Sequence, residues 1–247
     1  MMVSIITPTY NSERFISKTV DSIISQTYDD WELLITDDCS TDNTWSLLSA
    51  YAEKDDRIKI FQLERNSGPG VARNNSIQHA KGRFIAFCDS DDLWIPNKVE
   101  KQVKFLLEND LIFTYSAYQK INEAGIKGGT INIPTSITYN SLLKTCPIGC
   151  LTAIYDAQKI GKIYMPEIRK RQDYGLWLKI FKQIGSARGM NEVLGFYRER
   201  KNSVSSNKIK AAYYHYRILR EVAKVPTIKA WYYFFYYAIA GVIKYMK

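Results

Sequence analysis

An apolar segment runs directly into a group of acids in Phe84-Ile-Ala-Phe-Cys-Asp-Ser-Asp-Asp-Leu-Trp-Ile-Pro96. Its first five residues have the composition of a fully buried strand. Asp89, Asp91 and Asp92 follow that strand at once. Side chains two residues apart on an extended chain point to the same side, so we expect Asp89 and Asp91 to converge on one point.

Two converging carboxylates at the end of a buried strand repel each other unless a cation lies between them. Mg²⁺ or Mn²⁺ would satisfy that need, because each takes few protein oxygens and completes its shell with phosphate and water. The structural alternative is an acidic turn that caps a helix beginning near Pro96. This segment alone leaves both interpretations open.

Three similar apolar segments precede residue 84, and each ends in polar residues. We predict strands over 3–7, 31–36 and 58–63, with a helical pattern after each of them. Strict alternation of strand and helix predicts a parallel sheet covered on both faces. Ligands bind beyond the carboxyl ends of such strands, where the polar groups 7–11, 37–38, 66–74 and 89–92 all fall.

The second half of the chain is less regular. Residues 111–119 and 191–198 read as strands, 172–184 as a helix, and 208–225 and 227–246 as helices separated by Pro226. Residues 120–170 carry scattered Gly, Thr and Pro, so we expect short antiparallel strands that extend the sheet. The predicted fold class is therefore α/β, with a mixed central sheet and a C-terminal helical tail.

The basic character of the chain belongs to its last fifth. The net charge is +9, and residues 198–247 hold eleven Lys or Arg against two acids, which is +9 by itself. Such a tail could attract anionic lipid, an acidic polymer or nucleic acid. We expect no nucleic-acid partner, because the aromatic residues of 231–237 form one block and do not interleave with the charges.

The four cysteines (Cys39, Cys88, Cys146 and Cys150) show no metal-type pairing, so we expect reduced thiols of a cytoplasmic protein. The chain opens directly into a strand without a signal-peptide pattern. No apolar segment approaches the roughly 20 residues of a membrane-spanning helix.

Five motifs in order resemble family-2 glycosyltransferases, which have the GT-A fold and use nucleotide-sugar donors. They are Val3-Ser-Ile-Ile-Thr-Pro-Thr-Tyr-Asn, Asp37-Asp-Cys-Ser-Thr-Asp, Gly68 through Asn74, Asp89-Ser-Asp-Asp and Gln172-Asp-Tyr-Gly-Leu-Trp-Leu. The resemblance covers residues 2 to about 205. The tail, beginning with Lys201-Asn-Ser-Val-Ser-Ser-Asn-Lys, is similar to the bacterial subgroup that builds teichuronic-acid, capsular and lipopolysaccharide-type polymers.

The resemblance implies a catalytic domain over 1–205, with a nucleotide-sugar-binding half (1–108) and an acceptor-side half (109–205). Residues 206–247 then form basic and aromatic C-terminal helices. It implies an inverting, hexosyltransferase-like enzyme that uses a UDP-sugar and Mn²⁺ or Mg²⁺. The acceptor would be a hydroxyl of a cell-surface polysaccharide or of a polyprenyl-linked saccharide.

Donor binding is expected of Pro8, Tyr10, Asp38, Arg73, Asp89 and Arg200. Tyr10 could stack on the base, and Asp38 could accept a hydrogen bond from an N–H of uracil or thymine. Arg73 could reach the base or the diphosphate with its fork of donors. The structural alternatives are an ordinary turn tyrosine, helix capping by Asp37 and Asp38, and a surface salt bridge of Arg73.

By the same resemblance Asp91 binds the metal, Asp89 binds the ribose or the metal, and Asp173 is the catalytic base. A carboxylate serves as base if it lies within hydrogen-bond reach of the acceptor hydroxyl; the alternative for Asp173 is an N-cap. The sequence departs from the family pattern at Gln172, where an acid is usual. It departs again at Arg200, where related sequences often carry a metal-ligating histidine, so we expect Arg200 to contact the diphosphate instead.

The aromatic segment 231–237 is flanked by lysines and is too short to span a bilayer. It predicts either a helix in the membrane interface, on the cytoplasmic side, or a surface that packs on the catalytic domain or on a second copy in a homodimer. Two other functions stay open at this point. They are a sugar-nucleotide nucleotidyltransferase, whose Gly-rich signature after the first strand is absent here, and an inactive nucleotide- or membrane-binding module.

Overall fold

The computed structural model describes residues 1–200 and 208–246. Across these residues ten strands form one continuous sheet. The strands are β1 (Val3–Thr9), β2 (Trp31–Asp37), β3 (Ile58–Gln62), β4 (Phe84–Phe87), β5 (Leu93–Trp94), β6 (Phe113–Ile121), β7 (Lys127–Ile131), β8 (Ser136–Thr138), β9 (Ile154–Asp156) and β10 (Ser186–Arg198).

The sheet is parallel in its first half and mixed in its second. Its order is β3-β2-β1-β4-β9-β6-β10-β5, with β7 on β6 and β8 on β10. The first four strands pair in parallel, whereas β9 runs antiparallel to both β4 and β6. The predicted α/β class with a mixed sheet is confirmed. Because one sheet runs through residues 1–198, the division near residue 108 stays a prediction.

Helices cover both faces of the sheet. They are α1 (Ile16–Ile24), α2 (Thr44–Ala52), α3 (Pro69–His79), α4 (Lys98–Glu108), α5 (Tyr139–Lys144), α6 (Ala157–Ile160), α7 (Gln172–Ile184), α8 (Lys208–Arg217) and α9 (Thr227–Met246). A 3₁₀ turn occupies Cys150–Thr152, and a π-helical turn at Ile218–Val222 follows α8. The prediction for 172–184 matches α7 at both ends.

Each face of the sheet has its own apolar core. On one face the side chains of Val3, Ile5 and Leu33 pack with α1, α2 and α4. On the other, Phe87 and Phe113 meet Trp177 of α7 edge-on, with ring centroids 5.5 and 5.2 Å apart. Alternate side chains of a strand point to opposite faces, which explains how one strand serves both cores. These cores fix the strand ends on which the polar loops stand.

The C-terminal helices pack on this second core with one face of α9. Ala230 is fully buried, and the ring of Tyr237 stacks on the buried His215 of α8 at 4.2 Å. The opposite face of α9 exposes a row of large apolar side chains, namely Ile228, Trp231, Tyr232, Phe235, Tyr236 and Ile239. The alternative in which this segment packs on the rest of the chain therefore applies to the inner face of α9. Contact of the outer face with a membrane or with a second copy stays a prediction. The motif at residues 201–207 lies outside the described residues.

Candidate active site

The acids after β4 form a turn. The Asp92 N–H donates to the Asp89 carbonyl at 3.0 Å, which closes the chain over residues 89–92. The expectation that Asp89 and Asp91 converge as alternate residues of an extended segment is therefore wrong in its geometry. The capping alternative is wrong as well, because α4 begins after Asn97 and has no side-chain cap. The turn instead holds three carboxylates close together.

Each of the two expected metal ligands is paired with an arginine. Arg73 Nη2 lies 2.5 Å from Asp89 Oδ1, and Arg200 Nε lies 2.7 Å from Asp91 Oδ2. The Arg73 side chain is 9% exposed, so its ion pair is buried and is not the surface salt bridge of the alternative. The cationic partner that the acids require is thus supplied, in this structure, by guanidinium groups.

The pKa values of Asp91 and Asp92 are raised despite these pairs. Burial raises the pKa of Asp91; Arg200 opposes that shift and Asp89 adds to it. Asp92 is fully enclosed, and burial together with Asp91 and Asp89 raises its pKa well above the ordinary value. Carboxylates that raise each other's pKa in this way bind a further positive charge favourably. The turn is therefore poised for a cation or for cationic side chains.

Arg198 holds the turn from β10, and the sequence analysis missed it. Its backbone N–H donates to Asp92 Oδ1 at 2.8 Å, and its Nε donates to the Asp91 carbonyl at 2.7 Å. The side chain is buried, and Arg200 lies two residues further along the chain. The antiparallel pairing of Gly195 with Trp94 brings this strand to the acidic turn. The spacing of two between the arginines was the available signal.

The loops that follow β1, β2 and β4 are joined by hydrogen bonds. Ser12 and Ser90 share a bond of 2.9 Å, and the Thr41 N–H donates to Asn11 Oδ1 at 2.9 Å. Asp37 is fully buried and accepts from the Ser40 N–H at 3.0 Å, which fits the structural role expected of it. Local polar pairs of this kind fix loop shape. The loops at the carboxyl edge of the sheet are therefore held together as one surface by hydrogen bonds.

Asp38 organises the loop before α3. Its two carboxylate oxygens accept from the N–H groups of Ser67 and Gly68, each at 2.7 Å. Gly68 has φ 92°, a left-handed conformation that glycine adopts without strain. The alternative that Asp38 caps the helix after Thr41 is wrong, because α2 has no side-chain cap and both oxygens of Asp38 bind the loop before α3. The carboxylate is only 3% exposed.

Two other expected donor contacts lie on β1 or directly after it. Tyr10 is 46% exposed at the end of the strand, so the ring is available to a ligand. Pro8 is buried inside the strand and is paired in register with Thr36. The donor roles of both residues stay predictions, and Tyr10 has the more accessible side chain.

Asp173 lies on the same side of the molecule as the acidic turn. Burial lowers the pKa of Arg73, but Asp89 and, more weakly, Asp173 raise it, and the net shift is upward. Burial raises the pKa of the Cys150 thiol, and the same two carboxylates raise it further. Asp89, which follows β4, and Asp173, in the first turn of α7, therefore both raise the pKa values of Arg73 and Cys150.

Asp173 stands in the first turn of α7 and is half-buried. The N-cap of this helix is Arg171, without a side-chain cap, so the N-cap alternative for Asp173 is wrong. The Gln172 side chain packs on α3 at Gly70. The contact is so close that a Cβ added to Gly70 would lie 2.7 Å from Gln172 Nε2. The residue that replaces the usual acid thus fills a contact between α3 and α7.

The donor set at the turn fits a hard divalent cation. Asp89 and Asp91 offer carboxylate oxygens, which Mg²⁺ and Mn²⁺ prefer. Among residues 1–200 and 208–246, no group of three or more His, Cys, Asp and Glu side chains is gathered into a metal site. A cation bound here would therefore draw much of its shell from a phosphorylated ligand and water, and it would share Asp91 with Arg200.

A parallel β3-β2-β1-β4 unit, an acidic turn after β4 and a carboxylate in the first turn of α7 define a GT-A glycosyltransferase. The chain belongs to glycosyl transferase family 2, whose sequence model matches residues 4–160. It is 43% identical over 244 residues to the putative teichuronic acid biosynthesis glycosyltransferase TuaG of Bacillus subtilis, covering 98% of this chain and 97% of that protein.

A second relative is the Escherichia coli UDP-Glc:alpha-D-GlcNAc-diphosphoundecaprenol beta-1,3-glucosyltransferase WfgD. It is 41% identical over 244 residues, which are 98% of this chain and 94% of that protein. Among solved structures, S. aureus TarS 1-349 in complex with UDP-GlcNAc has a TM-score of 0.71 and 26% identity, covering 90% of this chain and 67% of that one.

The mannosyltransferase PcManGT from Pyrobaculum calidifontis, solved with GDP-Man and Mn²⁺, has a TM-score of 0.67 and 20% identity. It covers 97% of this chain and 73% of that one, and at this identity it shares the fold. The predicted glycosyltransferase class is confirmed. The nucleotidyltransferase alternative receives no support from any of these matches.

Proposed function

We propose that this protein transfers a hexose, with inversion, from a UDP-sugar to a hydroxyl of a polyprenyl-linked or polysaccharide acceptor. The observation that carries the proposal is the contact between Gly70 of α3 and Gln172 of α7, which sets Asp173 beside the helix that carries Arg73, the ion-pair partner of Asp89. It supports one site in which a carboxylate that handles the donor and a carboxylate that handles the acceptor are within electrostatic range. UDP as donor is supported by the relative WfgD, a UDP-Glc-dependent glucosyltransferase, and by the TarS complex with UDP-GlcNAc.

The donor would lie along the carboxyl edge of β1, β2 and β4. The exposed Tyr10 ring is free to stack on uracil. The oxygens of Asp38 each accept one backbone hydrogen bond, and a carboxylate oxygen can accept a second, so Asp38 can still receive the uracil N–H. Pro8 would shape this pocket. Arg73 and Arg200 would face the diphosphate, which their forked donors suit.

Asp91, with Asp89 beside it, would hold Mn²⁺ or Mg²⁺ against the two phosphates. When bound, the ion supplies positive charge that stabilises the leaving diphosphate. Arg200 is 37% exposed and already close to Asp91, so it can move between the carboxylate and a phosphate. We therefore assign part of the charge stabilisation to Arg200, in place of the histidine of related sequences.

The chemistry requires one proton transfer and one substitution at carbon. Asp173 accepts the proton of the acceptor hydroxyl while that oxygen forms its bond to the anomeric carbon. The bond from the anomeric carbon to the diphosphate oxygen breaks, and the electron pair leaves with the nucleoside diphosphate. A single attack from the face opposite the diphosphate inverts the anomeric centre. The products are the glycosylated acceptor, UDP and a protonated Asp173.

The exposed face of α9 supports a peripheral site of action on the cytoplasmic face of the membrane. Trp231, Tyr232 and Phe235 lie on one side of this helix and are 45–58% exposed. Amphipathic helices of this composition lie in the membrane interface, and the +9 segment would be attracted to anionic lipid. Of the helices in the described part of the chain, none is long and apolar enough to cross a bilayer. A homodimer that covers this face is the competing arrangement.

The test measures UDP release and the product together. The protein is incubated with a panel of UDP-, dTDP- and GDP-sugars, Mn²⁺ or Mg²⁺, and GlcNAc linked through diphosphate to an alkyl chain. We expect UDP release that requires a UDP-sugar, and a product whose new linkage shows by NMR the anomeric configuration opposite to the donor. Absence of turnover with every donor and acceptor would contradict the proposal and favour an inactive binding module.

A further inference from the structure

Arg171 occupies an unusual position next to the catalytic carboxylate. It precedes α7 in a left-handed conformation with φ 57°, which is uncommon for a residue other than glycine. Asp173 follows two residues later in the same turn, and Arg171 is half-buried. The chain therefore holds a guanidinium group beside the place where an acceptor hydroxyl would be deprotonated.

Aromatic rings surround this guanidinium group among the residues that the structure describes. Its central carbon lies 5.2 Å from the Tyr174 ring centroid and 5.0 Å from that of Tyr237. His215 is stacked between those rings at 5.1 and 4.2 Å, and its Nδ1 is 3.5 Å from Arg171 Nη1. Burial and the charge of Arg171 lower the pKa of His215 to about 3, so the imidazole is neutral. The rings orient Arg171 without neutralising it.

The other arginines of the site differ in this respect. Arg73 is paired with Asp89 and Arg200 with Asp91, whereas no carboxylate within residues 1–200 and 208–246 forms an ion pair with Arg171. Contact with an aromatic face compensates the charge of a cation only weakly. A half-buried arginine in this state retains donors and charge for a ligand anion.

We propose that Arg171 binds the phosphate group that links the acceptor sugar to its carrier. This inference rests on the proposed function and names one of its subsites. Arg171 lies between Asp173, which would meet the sugar hydroxyl, and α9, whose outer face would meet lipid. One sugar residue can present its hydroxyl to Asp173 and its anomeric phosphate to Arg171. The donor diphosphate is served separately, by Arg73 and Arg200.

The experiment separates this subsite from the donor site by filling the donor site first. Hexyl diphosphate, which has no sugar, is titrated calorimetrically into protein saturated with UDP and Mn²⁺. We expect Arg171→Gln to weaken its binding about 10- to 100-fold, the range of a lost hydrogen bond between charged groups. Arg171→Lys, which keeps the charge but loses the fork, should weaken it about 3- to 10-fold. Hexyl glucoside, which has an alkyl chain and a sugar but no phosphate, is the control for binding that does not involve the phosphate group.

Arg169→Gln is the matched control, because it removes an exposed positive charge two residues away. It should change the affinity less than about twofold, since an exposed charge is largely screened. A loss equal to that of Arg171→Gln would overturn the specific assignment. Melting temperatures of all three variants check folding, and Arg171→Lys carries the test if Arg171→Gln is unstable.

UDP release from the UDP-sugar is measured on the same variants in the presence of GlcNAc linked through diphosphate to an alkyl chain. Normal release with unchanged hexyl diphosphate binding in both Arg171 variants overturns the inference and leaves the proposed function intact. A raised KM for the UDP-sugar in Arg171→Gln would also overturn it, because Arg171 would then be a donor contact. No UDP release by the unmodified protein would overturn the proposed function itself.

Discussion

The proposed donor side and the proposed acceptor side of the site are built by different means. On the donor side the acids have close partners: Asp89 meets Arg73, Asp91 meets Arg200, and Asp38 accepts two backbone N–H groups. On the acceptor side Asp173 lies near the thiols of Cys146 and Cys150. Burial and Asp173 raise the pKa of Cys146 to about 12, so this thiol stays neutral.

The difference follows from what each side has to bind. A nucleoside diphosphate has fixed charges. Polar groups that are already held in place by the fold can bind those charges without rearranging in each turnover. An acceptor sugar is neutral apart from any phosphate. The acceptor side therefore needs one base for the hydroxyl, one cation for the phosphate and a pocket that fits the sugar. The comparison predicts that single changes on the acceptor side remove chemistry, whereas those on the donor side alter cation and phosphate affinity.

The largest effect is expected for Asp173→Asn. The amide cannot accept the acceptor proton, so kcat should fall about 10²- to 10⁴-fold, the usual contribution of a general base. Binding of UDP, measured by thermal shift with Mn²⁺, should be unchanged. Glu167→Gln, an exposed acid in the preceding loop, is the control and should keep full activity. Retention of kcat in Asp173→Asn would place the base elsewhere and end the assignment of the acceptor side.

Asp91→Asn tests the donor side. We expect the Mn²⁺ concentration for half-maximal activity to rise about tenfold or more, because one hard oxygen ligand loses its charge. Arg200→Gln should lower the Mn²⁺ concentration for half-maximal activity, because Asp91 is released from its ion pair. The same change should raise the KM for the UDP-sugar, because a phosphate contact is lost. Metal titrations and donor saturation curves of both variants distinguish the two roles. Identical metal curves in both variants would mean that Asp91 does not hold the ion.

We expect the outer face of α9 to contribute to membrane binding and not to catalysis. Trp231→Ser with Phe235→Ser removes two exposed rings, and we expect binding to vesicles of phosphatidylglycerol and phosphatidylcholine to fall about tenfold or more. Activity on a short-chain acceptor in solution should be kept. Tyr213→Ser, an equally exposed ring on α8, is the control. A change from dimer to monomer in sedimentation, with no loss of vesicle binding, would instead assign this face to a second copy.

The smallest effect concerns stability. Lys98 is fully buried over the Trp94 ring, and burial lowers its pKa to about 7. An unfolded chain keeps this proton to about pH 10.4, so between pH 7 and 10 the unfolded state binds more protons and the free energy of unfolding rises with pH. Lys98→Met should flatten that rise in urea titrations at pH 6.5 and 9. An unchanged slope would show that Lys98 stays charged in the fold.

The sequence predicted the first four strands, helix α7 and the polar loops at the strand ends because these depend on short-range patterns. A buried strand is apolar over five residues, and a helix repeats every 3.6. The family motifs then brought Asp89, Asp91 and Asp173 to one site. The reason given for the convergence of Asp89 and Asp91 was wrong, since a tight turn replaces extended chain after residue 88.

The partner of each charge was decided by the tertiary structure alone. Arg200 reaches Asp91 across more than a hundred residues because it lies two residues past the end of β10, which pairs with β5. A shift of one residue in that register would turn the side chains of β10 to the other face of the sheet. The sequence determined which elements form and which acids stand at their ends. Only the packed sheet determined that two of those acids meet arginines, and that Arg171 meets aromatic rings.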